Sequence, residues 1–365
     1  MSTRASVPAR RLGRAVGAAL LLAALAGCAG GSDGSLGYYA QSLRGHLDLL
    51  QRARPVDDWL ADPATPPALR ERLQLAQRLR RFAVTDLALP DNPSYTRYAD
   101  LGRPAVVWNV VAAPELSLQP RTWCFPVMGC VGYRGYFDRA AAEAEGARLR
   151  AEGWEVAVYG VPAYSTLGWT NWLGGDPLLN TFVQGGEAAL ARLLFHELAH
   201  QVVYADGDTA FNESYATAVE RLGLARWRAA TGGGAEDPAQ QQRQADFRAI
   251  TQRTRAALDA LYRSDRPDAA KRADKARLMA GMHQAFAALK AAPGGPWAGH
   301  TGYDAWLARA NNATLALQAA YDGWVPAFER LFAEGGGDFA RLHAEARRLA
   351  ALPPAQRRQA LQDNR

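Results

Sequence analysis

The chain has 365 residues, of which 48% are hydrophobic and 21% charged, with a formal net charge of +6. This composition is ordinary for a folded protein, and the length allows one large domain or two smaller ones. No basic cluster is interleaved with aromatic residues, so we do not expect nucleic acid as a partner.

Residues 1–27 are predicted to be a signal peptide. Four arginines and no acidic residue precede the short apolar run "AALLLAALAGC", which is the layout of a secretory signal. The ending "LAGC" resembles a bacterial lipobox, which implies cleavage before Cys28 and lipid attachment to its sulfur. Alanine follows the cysteine, which resembles the pattern for sorting to the outer membrane.

Lipid chains would hold the protein at a membrane surface without a transmembrane helix. We therefore expect a protein of the bacterial cell envelope, anchored in the outer membrane and facing the periplasm. The alternative is an ordinary secreted protein in which Cys28 is incidental. Since four of the 42 basic residues lie in the signal, the mature chain keeps 38 against 36 acidic residues.

The predicted elements fall into four parts after a tether at 28–36. Residues 37–103 form a helical N-terminal part, with helices expected at 37–54 and 66–87. Residues 104–183 read as a small sheet, because "PAVVWNVVAA", "WEVAVYGVPAYS" and "TFV" are rich in β-branched and aromatic residues. A helix at 138–153 lies between the first two. A helix pair at 184–230 and a helical part at 231–365 complete the chain.

Two cysteines remain in the mature chain besides Cys28. Cys124 and Cys130 have five residues between them, and a small-loop disulfide is the expected state in an oxidising periplasm. A metal site is the weaker alternative, because the spacing is wide and no histidine is nearby.

The segment "HELAH" matches the H-E-x-x-H pattern of zinc peptidases. His196 and His200 are four residues apart, so a helix projects both from one face. A catalytic zinc ion needs a third protein ligand and one open position for water. Glu197 would take the proton of that water and pass it to the leaving amine. The alternative is an amphipathic helix with two solvated histidines.

A second helix offers two acidic residues as the third ligand. Glu213 and Glu220 are seven residues apart, so both can face the same way. "NESYATAVE" resembles the corresponding helix of zinc aminopeptidases of the gluzincin group. The resemblance implies that Glu213 binds zinc and that Glu220 accepts a hydrogen bond from a ligand histidine. Glu220 remains the alternative third ligand, because the number of residues between it and His200 is close to that in thermolysin-like proteases.

Most of the mature chain resembles bacterial lipoproteins described as predicted zinc aminopeptidases. Beyond the two helices above, the resemblance is carried by "GYYAQSLRGHLDLL", "YRGYFD", "VPAYSTLGW", "DPLLNT" and "NNATL". It implies an α+β, zincin-like fold for residues 37–365, with a small β-sheet, an active-site helix pair and a largely helical C-terminal part. It also implies one zinc ion per chain and a peptide or protein substrate.

Further site residues are less well marked. By resemblance to zincins, Tyr164, Ser165, Thr166 and Gly168 would line the substrate cleft, although a core strand with a turn fits as well. The open candidates for an oxyanion donor are Tyr215, His300, Tyr303 and Tyr321. Those for binding the free amine of a substrate are Asp176, Glu187 and Asp208. Asn311 and Asn312 are expected to cap or pack rather than line the site.

The sequence therefore predicts a lipid-anchored zinc aminopeptidase. An endopeptidase is the close alternative. A non-catalytic envelope scaffold that keeps the fold, or a helical lipoprotein without metal, are further alternatives. The intact Glu197 argues against the scaffold, because a structural zinc ion needs no base.

Overall fold

The structure is a computed structural model that describes residues 36–125, 129–163, 166, 171, 174–232 and 237–363. It is an α+β fold that is predominantly helical, with small sheets. The predicted signal peptide, Cys28 and nearly all of the tether lie outside the described residues. Among the described helices, none combines the length and the apolar character needed to cross a membrane.

The N-terminal part forms helices, as the apolar spacing predicts. They are α1 (Leu36–Arg52), α2 (Val56–Ala61) and α3 (Pro67–Thr85). Helix α3 begins with Pro67 at its first position, where the missing amide hydrogen costs nothing. Its buried face, which includes Leu73, Ala76 and Leu79, packs into the largest hydrophobic core.

The central sheet has strand β3 (Val107–Pro114) between two antiparallel neighbours, β6 (Arg134–Tyr136) and β7 (Trp154–Val161). Helix α4 (Arg139–Ala151) covers one face, where Val110 and Ala112 are buried. Val111 and Ala113 point to the other face and pack against Ala313. Because both faces are covered, β3 reads in sequence as a continuous apolar run rather than as an alternating one.

The described residues form two further small sheets, one of two strands and one of three. Strands β4 (Trp123–Phe125) and β5 (Gly129–Val131) pair antiparallel with Cys124 opposite Cys130, and a disulfide joins the two residues. A second small sheet contains β1 (Arg54–Pro55), β2 (Arg97–Ala99) and β8 (Leu178–Leu179).

The prediction of extended structure for "TFV" was wrong. These residues lie in the short helix α5 (Asn180–Val183), with Phe182 and Val183 buried in the main core. Three apolar residues are too few for periodicity to distinguish a strand from a helical turn. The tertiary packing decided the conformation here.

The helix pair consists of α6 (Glu187–His200) and α7 (Thr209–Thr231). Helix α6 begins after Gly186 and ends at His200, and residues 201–202 form a turn. The side chain of Asp208 caps α7 by accepting a hydrogen bond from the amide of Phe211. Both helices are largely buried, so their polar residues on facing sides need partners.

The described C-terminal part is mostly helical, with turns between the helices and a longer non-helical segment at 292–303. Its elements are α8 (Pro238–Arg263), α9 (Asp268–Ala291), α10 (Asp304–Leu307), α11 (Asn312–Asp322), α12 (Val325–Glu334), α13 (Phe339–Ala350) and α14 (Pro354–Asp363). Helices α11 and α12 both contact α7. Asn311 caps α11, and the Asn312 amide donates to the carbonyl oxygens of Pro114 and Glu115, so both asparagines are structural.

Candidate metal centre

Three side chains of the helix pair converge on one point. The Nε2 atoms of His196 and His200 lie 3.1 Å apart. Glu213 Oε2 lies 3.2 Å from His196 Nε2 and 3.7 Å from His200 Nε2. These are the only described histidine, cysteine or acidic residues that form such a group of three.

The donor set fits a zinc ion. Two ligands about 2.0–2.1 Å from a tetrahedral ion lie roughly 3.3–3.4 Å from each other. The three separations in this group scatter around that value. Two neutral imidazoles and one carboxylate are also the ligand types of catalytic zinc sites that leave one position open. His196, His200 and Glu213 are thus able to hold a metal ion.

Glu220 has a different position from Glu213. Its Oε2 lies 3.0 Å from His196 Nδ1, the ring nitrogen that faces away from the group of three. Its Oε1 lies 3.6 Å from a guanidinium nitrogen of Arg192. Nδ1–H of His196 therefore donates to Glu220, which fixes the tautomer whose Nε2 lone pair is free to bind metal. The buried Nδ1 of His200 has no comparable partner among the described residues.

The carboxylates make this point of the fold favourable for a positive charge. Burial alone lowers the pKa of His196, but the hydrogen bonds and charges of Glu213 and Glu220 outweigh it and raise the pKa well above its ordinary value. Burial likewise raises the pKa of Glu213, and the two histidines more than reverse that, so the pKa is lowered. A cation at this point, whether proton or metal ion, compensates the partly buried carboxylates.

The group of three lies on a cavity of about 830 Å³ that Glu197 also lines. The carboxylates on the described wall are Glu197, Glu213 and Glu220, all from the helix pair. Apolar and aromatic side chains form much of the rest, among them Tyr38, Tyr39, Phe125, Val131, Phe137 and Leu193. A wall of this kind suits the side chain of a bound peptide next to a polar reaction centre.

The family model described as "Putative aminopeptidase" matches residues 37–361. The chain belongs to this putative aminopeptidase family. Neither the curated proteins nor the solved structures contain a match to the chain. Membership supports a peptidase role in general and does not identify the residues that carry it.

The sequence left four candidates for an oxyanion donor, and none of the three with described side chains lines the cavity. Tyr215 is buried in the core and its hydroxyl donates to His343 Nδ1 at 2.7 Å. Tyr303 stacks on Phe247 with ring centroids 4.5 Å apart, outside the described wall of the cavity, and His300 contacts Tyr303. The side chain of Tyr321 lies outside the described residues.

Four tyrosines line the described wall of the cavity: Tyr38, Tyr39, Tyr133 and Tyr204. The negative charges of Glu213 and Glu197 both act on Tyr133, which makes it the strongest candidate of the four. It belongs to "YRGYFD" and is the residue immediately before β6. The central sheet therefore positions it on the cavity that the helix pair also lines. Burial raises its pKa, and the negative charge of Glu213 adds to the effect. The hydroxyl therefore stays protonated and able to donate a hydrogen bond. The motif was visible in the sequence, but nothing in it assigned Tyr133 a role.

The three acidic residues considered for binding the substrate amine have structural partners instead. Buried Asp176 accepts hydrogen bonds from the backbone amide and the hydroxyl of Thr166. Glu187 accepts one from Trp227 Nε1 at 2.7 Å. Asp208 caps α7 and pairs with Arg357. None of the three is among the described residues that line the cavity, so the structure does not support them as amine ligands.

At the end of β7, the described residues that line the cavity come just before those expected from the sequence. Val161, Pro162 and Ala163 line it, whereas Thr166 bonds to Asp176 and is not among the described lining residues. Tyr164, Ser165 and Gly168 lie outside the described residues.

Proposed function

We propose that this protein is a lipid-anchored zinc metallopeptidase of the bacterial cell envelope with a zincin-like fold. The proposal is carried by the convergence of His196, His200 and Glu213 beside Glu197 on the wall of one large cavity. Membership of the putative aminopeptidase family supports the peptidase class. The lipid anchor at Cys28 and the periplasmic location rest on the signal sequence alone.

Zinc held by His196, His200 and Glu213 would polarise the peptide carbonyl and lower the pKa of a water molecule to about 7. Glu197 accepts the proton of the attacking water and delivers it to the leaving nitrogen. The Tyr133 hydroxyl donates a hydrogen bond to the carbonyl oxygen as negative charge develops on it. Glu220 keeps the ring of His196 in place through Nδ1.

Two modes of cleavage are compatible with this chemistry. An aminopeptidase needs a carboxylate for the free amine of the substrate, and the family description favours this mode. The described wall of the cavity has no carboxylate besides Glu197, Glu213 and Glu220. Among the described residues, an aminopeptidase would have to use one of these three, and their involvement in the metal centre keeps an endopeptidase as the second candidate.

The test combines metal content with peptide cleavage. The full chain is purified in a nonionic detergent beside Glu197→Gln, Glu213→Ala and a control, Glu143→Gln, on the exposed side of α4. We expect about one zinc ion per chain in the wild type, Glu197→Gln and the control. Glu213→Ala should lose the metal, and Glu197→Gln should keep it without cleaving peptides.

The products are identified by mass spectrometry with free and N-acetylated forms of the same peptides. Loss of cleavage on acetylation identifies an aminopeptidase, whereas internal cleavage of both forms identifies an endopeptidase. A wild-type protein that binds zinc and cuts nothing in a broad library would refute the peptidase proposal. Cys28→Ser tests the anchor, since it should move the protein from the membrane fraction to the soluble fraction.

A further inference from the structure

A second, smaller groove of about 280 Å³ adjoins the cavity. The two share Arg192, Glu220 and Arg221, so the groove begins at the glutamate that holds His196. Helices α8 and α11, with the turn before α10, provide the rest of its lining. These residues are Gln244, Phe247, Arg248, Tyr303 and Gln318. We call it the arginine groove.

Positive charge exceeds negative charge along this groove. Three arginines line it against one glutamate. Arg192 lies 3.6 Å from Glu220, and Arg221 lies 3.9 Å from Glu329. Arg192 and Arg221 therefore already have partners within the chain. Arg248 forms no ion pair with any carboxylate of the described residues.

The groove also contains groups that can contact a peptide. Phe247 and Tyr303 stack at 4.5 Å and offer an aromatic floor. The side-chain amides of Gln244 and Gln318 add hydrogen-bond donors to those of the arginines. A peptide chain advances about 3.3–3.6 Å per residue, so one that reacts at the metal centre reaches this groove within a few residues.

We propose that the arginine groove binds a carboxylate of the peptide substrate, close to the scissile bond. The guanidinium group presents parallel N–H donors that match the two oxygens of a carboxylate. The substrate then carries an apolar residue in the main cavity and an acidic group in the groove. The carboxylate is either an acidic side chain or the C-terminus of a short peptide. This inference rests on the proposed peptidase function.

The experiment uses matched peptides that differ by one group. A neutral peptide with an amidated C-terminus is compared with versions in which one glutamine becomes glutamate, at each of three positions on either side of the cleaved bond. A further version is neutral with a free C-terminus. Cleavage is measured as kcat/KM on the zinc-loaded full chain. Binding is measured by calorimetry on zinc-loaded Glu197→Gln, so that affinity is read without turnover.

We expect one of the carboxylate peptides to be bound and cleaved about 10–100-fold better than the neutral one, since a hydrogen bond to a charged group has this value. The side-chain arm and the C-terminal arm show which carboxylate the groove recognises. Arg248→Gln should reduce the ratio of acidic to neutral substrate toward one, and Arg248→Lys should retain part of it. Arg253→Gln, on the exposed side of the same helix, is the matched control and should keep the full ratio.

The outcomes separate the two proposals. Equal binding and cleavage of the acidic and neutral peptides would overturn the inference while leaving the peptidase function intact. A preference that survives Arg248→Gln together with Arg221→Gln would also overturn it. Carboxylate-dependent binding that Arg248→Gln abolishes, without any cleavage by the wild type, would support the inference and refute the proposed function.

Discussion

Gly223 of α7 packs closely against Phe195 of α6, and replacing it tests whether this contact sets the metal centre. A Cβ atom there would lie 2.8 Å from Leu87 Cδ1 and 2.9 Å from Phe195 Cδ2. Phe195 is buried and directly precedes His196. Alanine at position 223 must therefore push α7 away from α6 or displace the ring of Phe195.

The size of the effect follows from two opposing contributions. Alanine in a helix interior is favoured over glycine by about 1 kcal/mol. Overpacking a well-packed core costs about 1–3 kcal/mol. Gly223→Ala should therefore lower the free energy of unfolding by up to about 2 kcal/mol. Gly281, in the middle of α9, is the control because a Cβ atom there meets nothing within 4 Å.

Gly281→Ala should raise the free energy of unfolding by up to about 1 kcal/mol, because only the helix preference acts. Both variants are unfolded in urea with excess chelator, so that bound metal does not contribute to the stability. Zinc affinity is then measured with a competing dye, and Gly223→Ala should bind zinc more weakly than Gly281→Ala. If Gly223→Ala stabilises the protein as much as the control does, the close helix contact does not hold the ligands in place and this reasoning is wrong.

Three further predictions concern single side chains of the described structure. Glu220→Gln should weaken zinc affinity about 10–100-fold, because Nδ1 of His196 loses its charged partner; an affinity equal to that of Glu143→Gln would contradict this role. Tyr133→Phe should lower kcat about 10²–10³-fold with zinc content unchanged, as expected for an oxyanion donor; an unchanged kcat would exclude the hydroxyl. Burial lowers the pKa of His343 from its ordinary value of 6.5, so the unfolded chain binds more protons just below that value and the free energy of unfolding falls as the pH drops below about 6.5. His343→Leu should flatten that part of the pH profile in urea unfolding, and an unaltered slope would show that another group causes it.

The electrostatics of the metal centre link cation binding to the stability of the helix pair. Three carboxylates and two imidazoles lie on one cavity wall, at the junction of two largely buried helices. Buried carboxylates are costly unless a positive charge compensates them. A bound cation would therefore contribute to stability as well as to chemistry, which the chelator in the unfolding assay keeps separate.

The sequence by itself determined the features that depend on local spacing. His196 and His200 lie on one helical face because four residues make about one turn, whatever surrounds the helix. The helices at 67–85 and 139–151 follow from apolar periodicity, and strands β3 and β7 from their β-branched runs. Cys124 and Cys130 likewise face each other because a short hairpin places them on paired strands, which depends only on the local sequence.

The tertiary structure decided what depends on distant segments coming together. Glu213 and Glu220 share a helical face, and only the packing of α7 on α6 brings the first beside both Nε2 atoms and the second to Nδ1 of His196. Tyr133 reaches the cavity because it stands next to β6 of the central sheet. The arginine groove brings together α6 and α11, which are more than 100 residues apart along the chain. The periodicity of a helix or strand fixes the direction in which each of its side chains points. The neighbour found in that direction is set by how the elements pack, and no local pattern encodes that.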